Sequence, residues 1–216
     1  MRLLAENLSA HRGEDLIFSN LSFSLAEGEA LLLTGRNGSG KSTLLRVAAG
    51  LLRPASGSLR LWYDETRRAY NLAEAAHYLG HRNAMKMELT VRENLAFWQS
   101  FLGNTEGGRG VSVLEAAAAV ELEQVLHLPF GYLSAGQQRR MAFAKLLVAY
   151  RPVWIVDEPT AALDISAEAL LARLMREHQS QGGMILAATH QPLELLNVKR
   201  LEMKGFVYTN AEGHDL

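Results

Sequence analysis

Gly35-Arg36-Asn37-Gly38-Ser39-Gly40-Lys41-Ser42-Thr43 is the stretch on which the reading of this chain turns. It fits G-x-x-x-x-G-K-[ST], and its flanks give that pattern a physical meaning. Glu29 to Thr34 reads as a buried strand, and Thr43 to Ala49 as a helix that stops at Gly50. Strand, glycine turn and helix start together make a phosphate cradle. Glycines let the backbone curl so that successive N–H groups point inward, and the helix N-terminus adds positive potential. Lys41 is placed to reach the β- and γ-phosphates of a nucleotide, and the Ser42 hydroxyl to ligand Mg²⁺. An ordinary strand–turn–helix connection would also use glycine for tightness, but it would not need a lysine and a hydroxyl at the helix start. A chain of 216 residues meets the pattern by chance roughly once in a hundred, so a nucleotide site is the expectation.

Size and composition limit what can surround that site. A chain of 216 residues forms one domain with a substantial core, with room for an inserted lobe. Its 48% apolar and 21% charged residues are ordinary for a folded protein. A formal net charge of -1 gives no global basic field, so a nucleic-acid partner is not expected. No apolar run approaches the roughly 20 residues needed to span a bilayer, and Met1 to Asn7 lacks the apolar core of a signal peptide. Direct membrane insertion is therefore not expected, and any membrane association comes through a partner. The absence of cysteine excludes disulfides and thiolate metal sites and fits the cytosol.

Outward from the motif, Leu3-Leu4, Leu16 to Phe18, Leu21 to Leu25 and Ala30 to Leu33 are short apolar segments. Separated by Arg12-Gly13-Glu14-Asp15 and Glu27-Gly28-Glu29, they predict antiparallel β structure leading into the motif strand. Ser58 to Trp62 alternates like a further strand, and His77 to Gly80 is a short one. The middle changes character. Thr90-Val91-Arg92-Glu93 has the form of a capping box ahead of a helix over Asn94 to Leu102. Ser112 to Leu126, with four consecutive alanines, is expected to be strongly helical, as is Gln138 to Tyr150. Residues 82–150 thus read as a helical lobe inserted into an α/β core formed by 1–81 and 151–216. Strand, helix and strand then follow at Pro152 to Asp157, Ile165 to Gln181 and Met184 to Thr189, a parallel crossover. A short helix near Pro192 to Leu196 and a hairpin over Arg200 to Tyr208 complete the reading.

Two further segments carry chemistry. Val153-Trp154-Ile155-Val156-Asp157 ends an apolar strand with an aspartate. On a parallel sheet Asp157 lies at the carboxyl edge, beside the phosphate cradle, where Mg²⁺ would sit. Glu158 follows directly and can polarise a water attacking the γ-phosphate. Alone, Asp-Glu-Pro after a strand is as readily a solvated turn; beside the cradle it reads as functional. Leu133-Ser134-Ala135-Gly136-Gln137 precedes a helix and forms a second anion site if Ser134 and the turn N–H groups bind phosphate. A plain helix cap by Ser134 is the alternative.

In this order the motifs resemble the nucleotide-binding subunit of ATP-binding cassette (ABC) transporters, over nearly the whole chain. The resemblance implies a P-loop NTPase fold with a mixed sheet core, an N-terminal antiparallel β part and an inserted helical lobe. It implies that Gly35 to Thr43 (Gly35, Arg36, Asn37, Gly38, Ser39, Gly40, Lys41, Ser42, Thr43) are the Walker A loop that binds ATP. Ser134, Ala135, Gly136 and Gln137 are then the signature, Asp157 the Walker B carboxylate and Glu158 the catalytic base. Ala162-Leu163-Asp164 looks like the D-loop, with Asp164 at the nucleotide, and His190 like the switch histidine at the γ-phosphate. Three positions depart from the family. Ala135 replaces the first signature glycine and would be strained at positive φ. Arg12, with His11 as a rival, stands where an aromatic residue usually stacks on adenine. His81 stands where a glutamine usually senses Mg²⁺, although imidazole is the poorer ligand for that hard cation.

The run Tyr78 to Asn83, with Lys86, Leu89 to Leu95 and Phe97-Trp98, narrows the resemblance to the ATP-binding subunits of bacterial cytochrome c maturation complexes. That resemblance implies ATP hydrolysis driving haem export or release of a haem-loaded chaperone, integral membrane subunits as partners, and a place on the cytoplasmic face of the bacterial inner membrane. In the family resembled, the two halves of a site come from opposite protomers, so one Walker A loop and one signature per chain imply a head-to-tail homodimer with two shared ATP sites. The alternatives are an ATPase serving another importer or exporter, and a soluble ABC ATPase acting on ribosomes or DNA. Such soluble proteins commonly fuse two cassettes or insert long coiled coils, and this sequence has neither.

Overall fold

The computed structural model describes residues 1–63, 68–80, 82–104, 108–160, 163–191 and 193–205. Two sheets organise them. Strands β1 (Arg2–Arg12), β2 (Asp15–Ala26), β4 (Ser56–Tyr63) and β5 (Arg68–Tyr70) form an antiparallel sheet in the order β2-β1-β4-β5. Strands β3 (Ala30–Thr34), β6 (Ala76–Leu79), β7 (Val153–Asp157), β8 (Met184–Ala188) and β9 (Val198–Glu202) form a parallel sheet in the order β6-β7-β8-β3-β9. The expected antiparallel N-terminal region is present, but the P-loop strand β3 belongs to the other sheet.

The central strands β3, β7 and β8 of the parallel sheet are covered on both faces, which is why they read as continuous apolar runs rather than alternating ones. Successive side chains point to opposite faces, and the core divides accordingly. Leu32, Trp154, Val156, Ile185 and Ala187 pack with α3 (Val91–Leu102), α4 (Val113–Ala119), α5 (Ala135–Val148) and α6 (Ile165–Ser180). Leu31, Leu33, Val153, Ile155 and Leu186 pack with α1 (Lys41–Ala48) and the inner face of β1. A single turn, α2 (Leu72–Ala75), leads into β6.

The helices start where capping chemistry predicts. Thr90 and Glu93 form a reciprocal capping box on α3, and Ser112 and Glu115 do the same for α4. The expected long helix over Ser112 to Leu126 is cut short. Glu121 adopts φ +59°, and the Glu121 and Leu122 N–H groups donate back to Ala118 and Ala117 carbonyls at 3.0 and 2.8 Å. This left-handed cap turns the chain so that Val120 and Leu122 both enter the core. Burial of those two side chains overrides the propensity of the alanine run. A 3₁₀ turn at Glu123–Val125 is what remains of the expected helix.

Two expectations at the C-terminal end are corrected. Residues 193–196 are not helical, because the Gln179 carboxamide engages Leu196 from both sides, accepting from its N–H at 3.0 Å and donating to its carbonyl at 2.6 Å. The described part of the expected hairpin is instead β9, a parallel edge strand paired with β3 from Ala30↔Val198 to Thr34↔Glu202. Pro192 and Phe206 to Tyr208 lie outside the described residues.

Candidate nucleotide site

The carboxyl ends of β3 and β7 face one cleft of about 530 Å³. Along its floor the chain leaves β3, turns through 35–40 and enters α1 at Lys41. Gly40 has φ +97°, and a Cβ there would come within 2.6 Å of Ile17 Cγ2. Only glycine fits that turn without strain. Asn37, Gly38, Ser39, Gly40, Lys41, Ser42 and Thr43 all line the cleft. Gly35 and Arg36 contribute their carbonyls, which accept from Lys41 Nζ at 2.8 and 3.1 Å. The ammonium is thus folded back on its own loop. Ser39 is 4% exposed, and its hydroxyl has no hydrogen-bond partner among the described residues.

The second wall comes from β7. Asp157 Oδ1 accepts from Ser42 Oγ at 3.1 Å, while the buried Oδ2 has no partner among the described residues. An uncompensated buried carboxylate oxygen beside a hydroxyl is a costly arrangement in isolation. It fits a hard cation, which takes oxygen ligands and completes its shell with phosphate oxygens and water. Mg²⁺ held by Ser42 and Asp157 is consistent with this donor set. His81, the third expected ligand, lies outside the described residues.

Glu158 follows at φ +47°, in the left-handed region that costs a non-glycine residue on the order of 1–2 kcal/mol. Its N–H donates to the Ala188 carbonyl at 2.9 Å, which pins the turn to the end of β8. His190, two residues past β8, brings Nε2 to 3.5 Å from Glu158 Oε1. Both side chains line the cleft, as does Arg12 at the end of β1; His11 is not among the lining residues. Sequence reasoning missed Ile17 and Arg46 as cleft residues. Arg46 is one helical turn past Ser42, and that spacing places the two on the same face of α1.

The signature residues lie elsewhere. Ser134 caps α5, accepting from the Gln137 N–H at 3.2 Å, and the Gln137 side chain accepts from the Ser134 N–H at 2.9 Å. Ala135 is the first residue of the helix and does not have positive φ, so the feared strain is absent. Asp164 caps α6 through the Ala167 N–H at 2.8 Å, and that hydrogen bond, aided by Ser166, holds its carboxyl below the usual range. None of Ser134, Ala135, Gly136, Gln137 or Asp164 lines the cleft. Ala162 lies outside the described residues.

This arrangement, an ammonium, loop N–H groups and a hydroxyl–carboxylate pair facing a glutamate and a histidine, can bind a polyphosphate and activate water. The family model for ABC transporters matches residues 18–161. The chain belongs to the ABC transporter family. Among curated relatives, the cytochrome c biogenesis ATP-binding export protein CcmA of Rhizobium meliloti (strain 1021) is 63% identical over 208 residues, covering 96% of this chain and 100% of the relative. A protein of the same name from Brucella abortus (strain 2308) is 57% identical, covering 90% of this chain and 88% of its own length. Among solved structures, an ABC transporter ATP-binding protein from Pyrococcus furiosus superposes with a TM-score of 0.77 at 21% identity, covering 94% and 98% of the two chains, which speaks to the fold alone. A dimeric ATP-binding cassette, solved in a post-hydrolysis state with ADP and Pi, matches with a TM-score of 0.72 at 25% identity over 88% of each chain. The chain is thus an ABC-type ATP-hydrolysing subunit that binds ATP. No helix among its described residues is long and apolar enough to cross a membrane.

Proposed function

We propose that this ABC subunit hydrolyses ATP in a homodimer to drive a membrane complex of cytochrome c maturation, through haem export or release of a haem-loaded chaperone. The observation that carries the mechanism is the split between its two phosphate-binding segments. Lys41, Ser42, Glu158 and His190 line one cleft, with the buried Asp157 hydrogen-bonded to Ser42, whereas the Ser134–Gln137 segment caps a helix outside it. A second copy docked head to tail would bring that segment over the γ-phosphate, closing the site. The dimeric state of the ADP- and Pi-bound neighbour supports this reading. The names of relatives 57–64% identical support the cytochrome c pathway.

On this reading Lys41 leaves the Gly35 and Arg36 carbonyls for the β- and γ-phosphates, exchanging neutral acceptors for charged ones. Loop N–H groups and the Ser39 hydroxyl bind phosphate oxygens. Ser42 and Asp157 would hold Mg²⁺, which when bound would neutralise charge on the phosphates. Glu158 polarises the attacking water, and His190 orients it beside Glu158 Oε1. Arg12 packs its guanidinium against adenine, and Asp164 meets the nucleotide from the partner side. Residues 82–150 act as the lobe that carries the Ser134 segment and the contacts to membrane subunits at the cytoplasmic face of the bacterial inner membrane.

The test removes hydrolysis and keeps binding. Glu158→Gln should bind ATP and accumulate as a dimer on size exclusion, whereas Lys41→Ala should stay monomeric. An ATP-loaded Glu158→Gln that runs as a monomer sinks the shared site. Affinity purification from membranes should recover integral subunits together with haem; recovery of a different transporter's subunits would reassign the pathway.

A further inference from the structure

Arg139 is a buried cation whose hydrogen-bond partners among the described residues are all backbone carbonyls. It lies one turn into α5, is 6% exposed and forms no ion pair among the described residues. Burial accordingly pushes its guanidinium below the usual range, with Asp157 the charge that opposes the shift. Its donors go to backbone carbonyls from two distant segments. Nη1 donates to Gly80 at the end of β6 at 2.9 Å, Nη2 to Glu158 at 3.0 Å and Nε to Pro159 at 3.3 Å. The Phe143 ring, one turn further along α5, lies 5.6 Å from the guanidinium carbon. A planar fork of donors on an aromatic platform has a fixed direction, unlike the point charge of a lysine.

Two of those carbonyls belong to the turn that aims the glutamate. Glu158 is held at positive φ with its N–H tied to Ala188 and its carbonyl tied to Arg139. Removing either tie frees the residue to relax toward the right-handed region and swing its carboxylate. Arg139 also follows Ser134–Gln137 on the same rigid helix. We propose that Arg139 is a positioning residue that links the Ser134–Gln137 end of α5 to Glu158 of the same chain, coupling the two ATP sites of the dimer. Under the shared-site reading, on which this inference rests, that end of α5 engages the ATP held by the partner. Glu158 acts on the ATP held by its own chain. Seating of α5 on one nucleotide thus sets the glutamate that hydrolyses the other.

The experiment compares wild type, Arg139→Lys, Phe143→Leu and Arg140→Gln in purified protein. Arg140 is the control, a neighbouring cation paired with the exposed Glu121. Thermal melting, affinity for a fluorescent ADP analogue, kcat, KM and the Hill coefficient for ATP are read for each. Wild type should show a Hill coefficient above 1. Arg139→Lys should keep analogue affinity within about twofold, lose at least tenfold in kcat and fall to a Hill coefficient near 1, because lysine cannot span three carbonyls. Arg140→Gln should match wild type. Should Arg139→Lys not fold, Phe143→Leu decides: it keeps the guanidinium, removes its platform and should show a smaller loss in kcat with a lowered Hill coefficient. A wild-type Hill coefficient of 1 overturns the proposal, as does a folded Arg139→Lys or Phe143→Leu with wild-type kcat. If the coupling fails while Glu158→Gln still dimerises with ATP, the shared site stands; a monomeric Glu158→Gln removes both.

Discussion

At the scale of single residues, the cleft is built by positions that tolerate no side chain or leave an oxygen unpaired. Gly40 combines φ +97° with a Cβ position 2.6 Å from Ile17 Cγ2, so an alanine there meets both a torsional and a steric penalty. The torsional part alone is about 1–2 kcal/mol, and the loop would rearrange to avoid it. Gly40→Ala should therefore weaken ADP-analogue binding more than tenfold, read by fluorescence titration. Near wild-type affinity would show that the turn needs no left-handed residue at that position. Asp157 Oδ2 and Ser39 Oγ follow a different logic, since each is buried without a partner among the described residues. Such groups are tolerated where a ligand completes them.

At the scale of elements, α5 shows how one feature serves two roles. Ser134 caps the helix, and under the proposed shared site the same hydroxyl would be offered to a partner's phosphate. The two roles separate by substitution. Ser134→Ala should lose about 1 kcal/mol of stability with the cap. Ser134→Asp should keep the cap, because aspartate is as good an N-cap, but place a negative charge against the γ-phosphate. In a Glu158→Gln background, the melting temperature of Ser134→Asp should stay close to the parent while ATP-dependent dimerisation is lost. Dimerisation at parental ATP concentrations would leave Ser134 as a cap alone. Elements of this kind were legible in the sequence: the glycine loop, the capping box at Thr90 and Glu93, and the strand ending in Asp157 are set by local chemistry. What was not legible depends on distant partners. Glu121 turns left-handed so that Leu122 can be buried, and β9 pairs with a strand more than 160 residues away in sequence. The role of Arg139 emerges only when Gly80, Glu158 and Pro159 are brought around it.

Across the whole molecule, two buried histidines hold the junction of β6, β7, α5 and α6. His77 on β6 bonds through Nε2 to the Ala149 carbonyl at 2.6 Å, just past α5. His178 on α6 stacks on Trp154 of β7, with ring centroids 4.1 Å apart and planes 10° from parallel. Burial dominates both, lowering His77 to about 3, against the opposing effect of its Ala149 hydrogen bond, and His178 to about 4. Both rings are therefore neutral in the folded chain at pH 5, whereas the unfolded chain binds a proton at each below about 6.5. Where the unfolded state holds more protons, stability rises with pH. The contribution is fully present above about 6.5 and is lost as pH falls toward the folded values of about 3 and about 4. At pH 5 the cost depends on the unfolded value alone and amounts to about 2 kcal/mol for each ring. His178→Phe keeps the stack on Trp154 and removes one titration. Its melting temperature should consequently drop less than that of wild type between pH 7 and pH 5, in scans at constant ionic strength. Equal drops in the two proteins would mean that His178 takes up its proton without unfolding, and that the junction admits a charge.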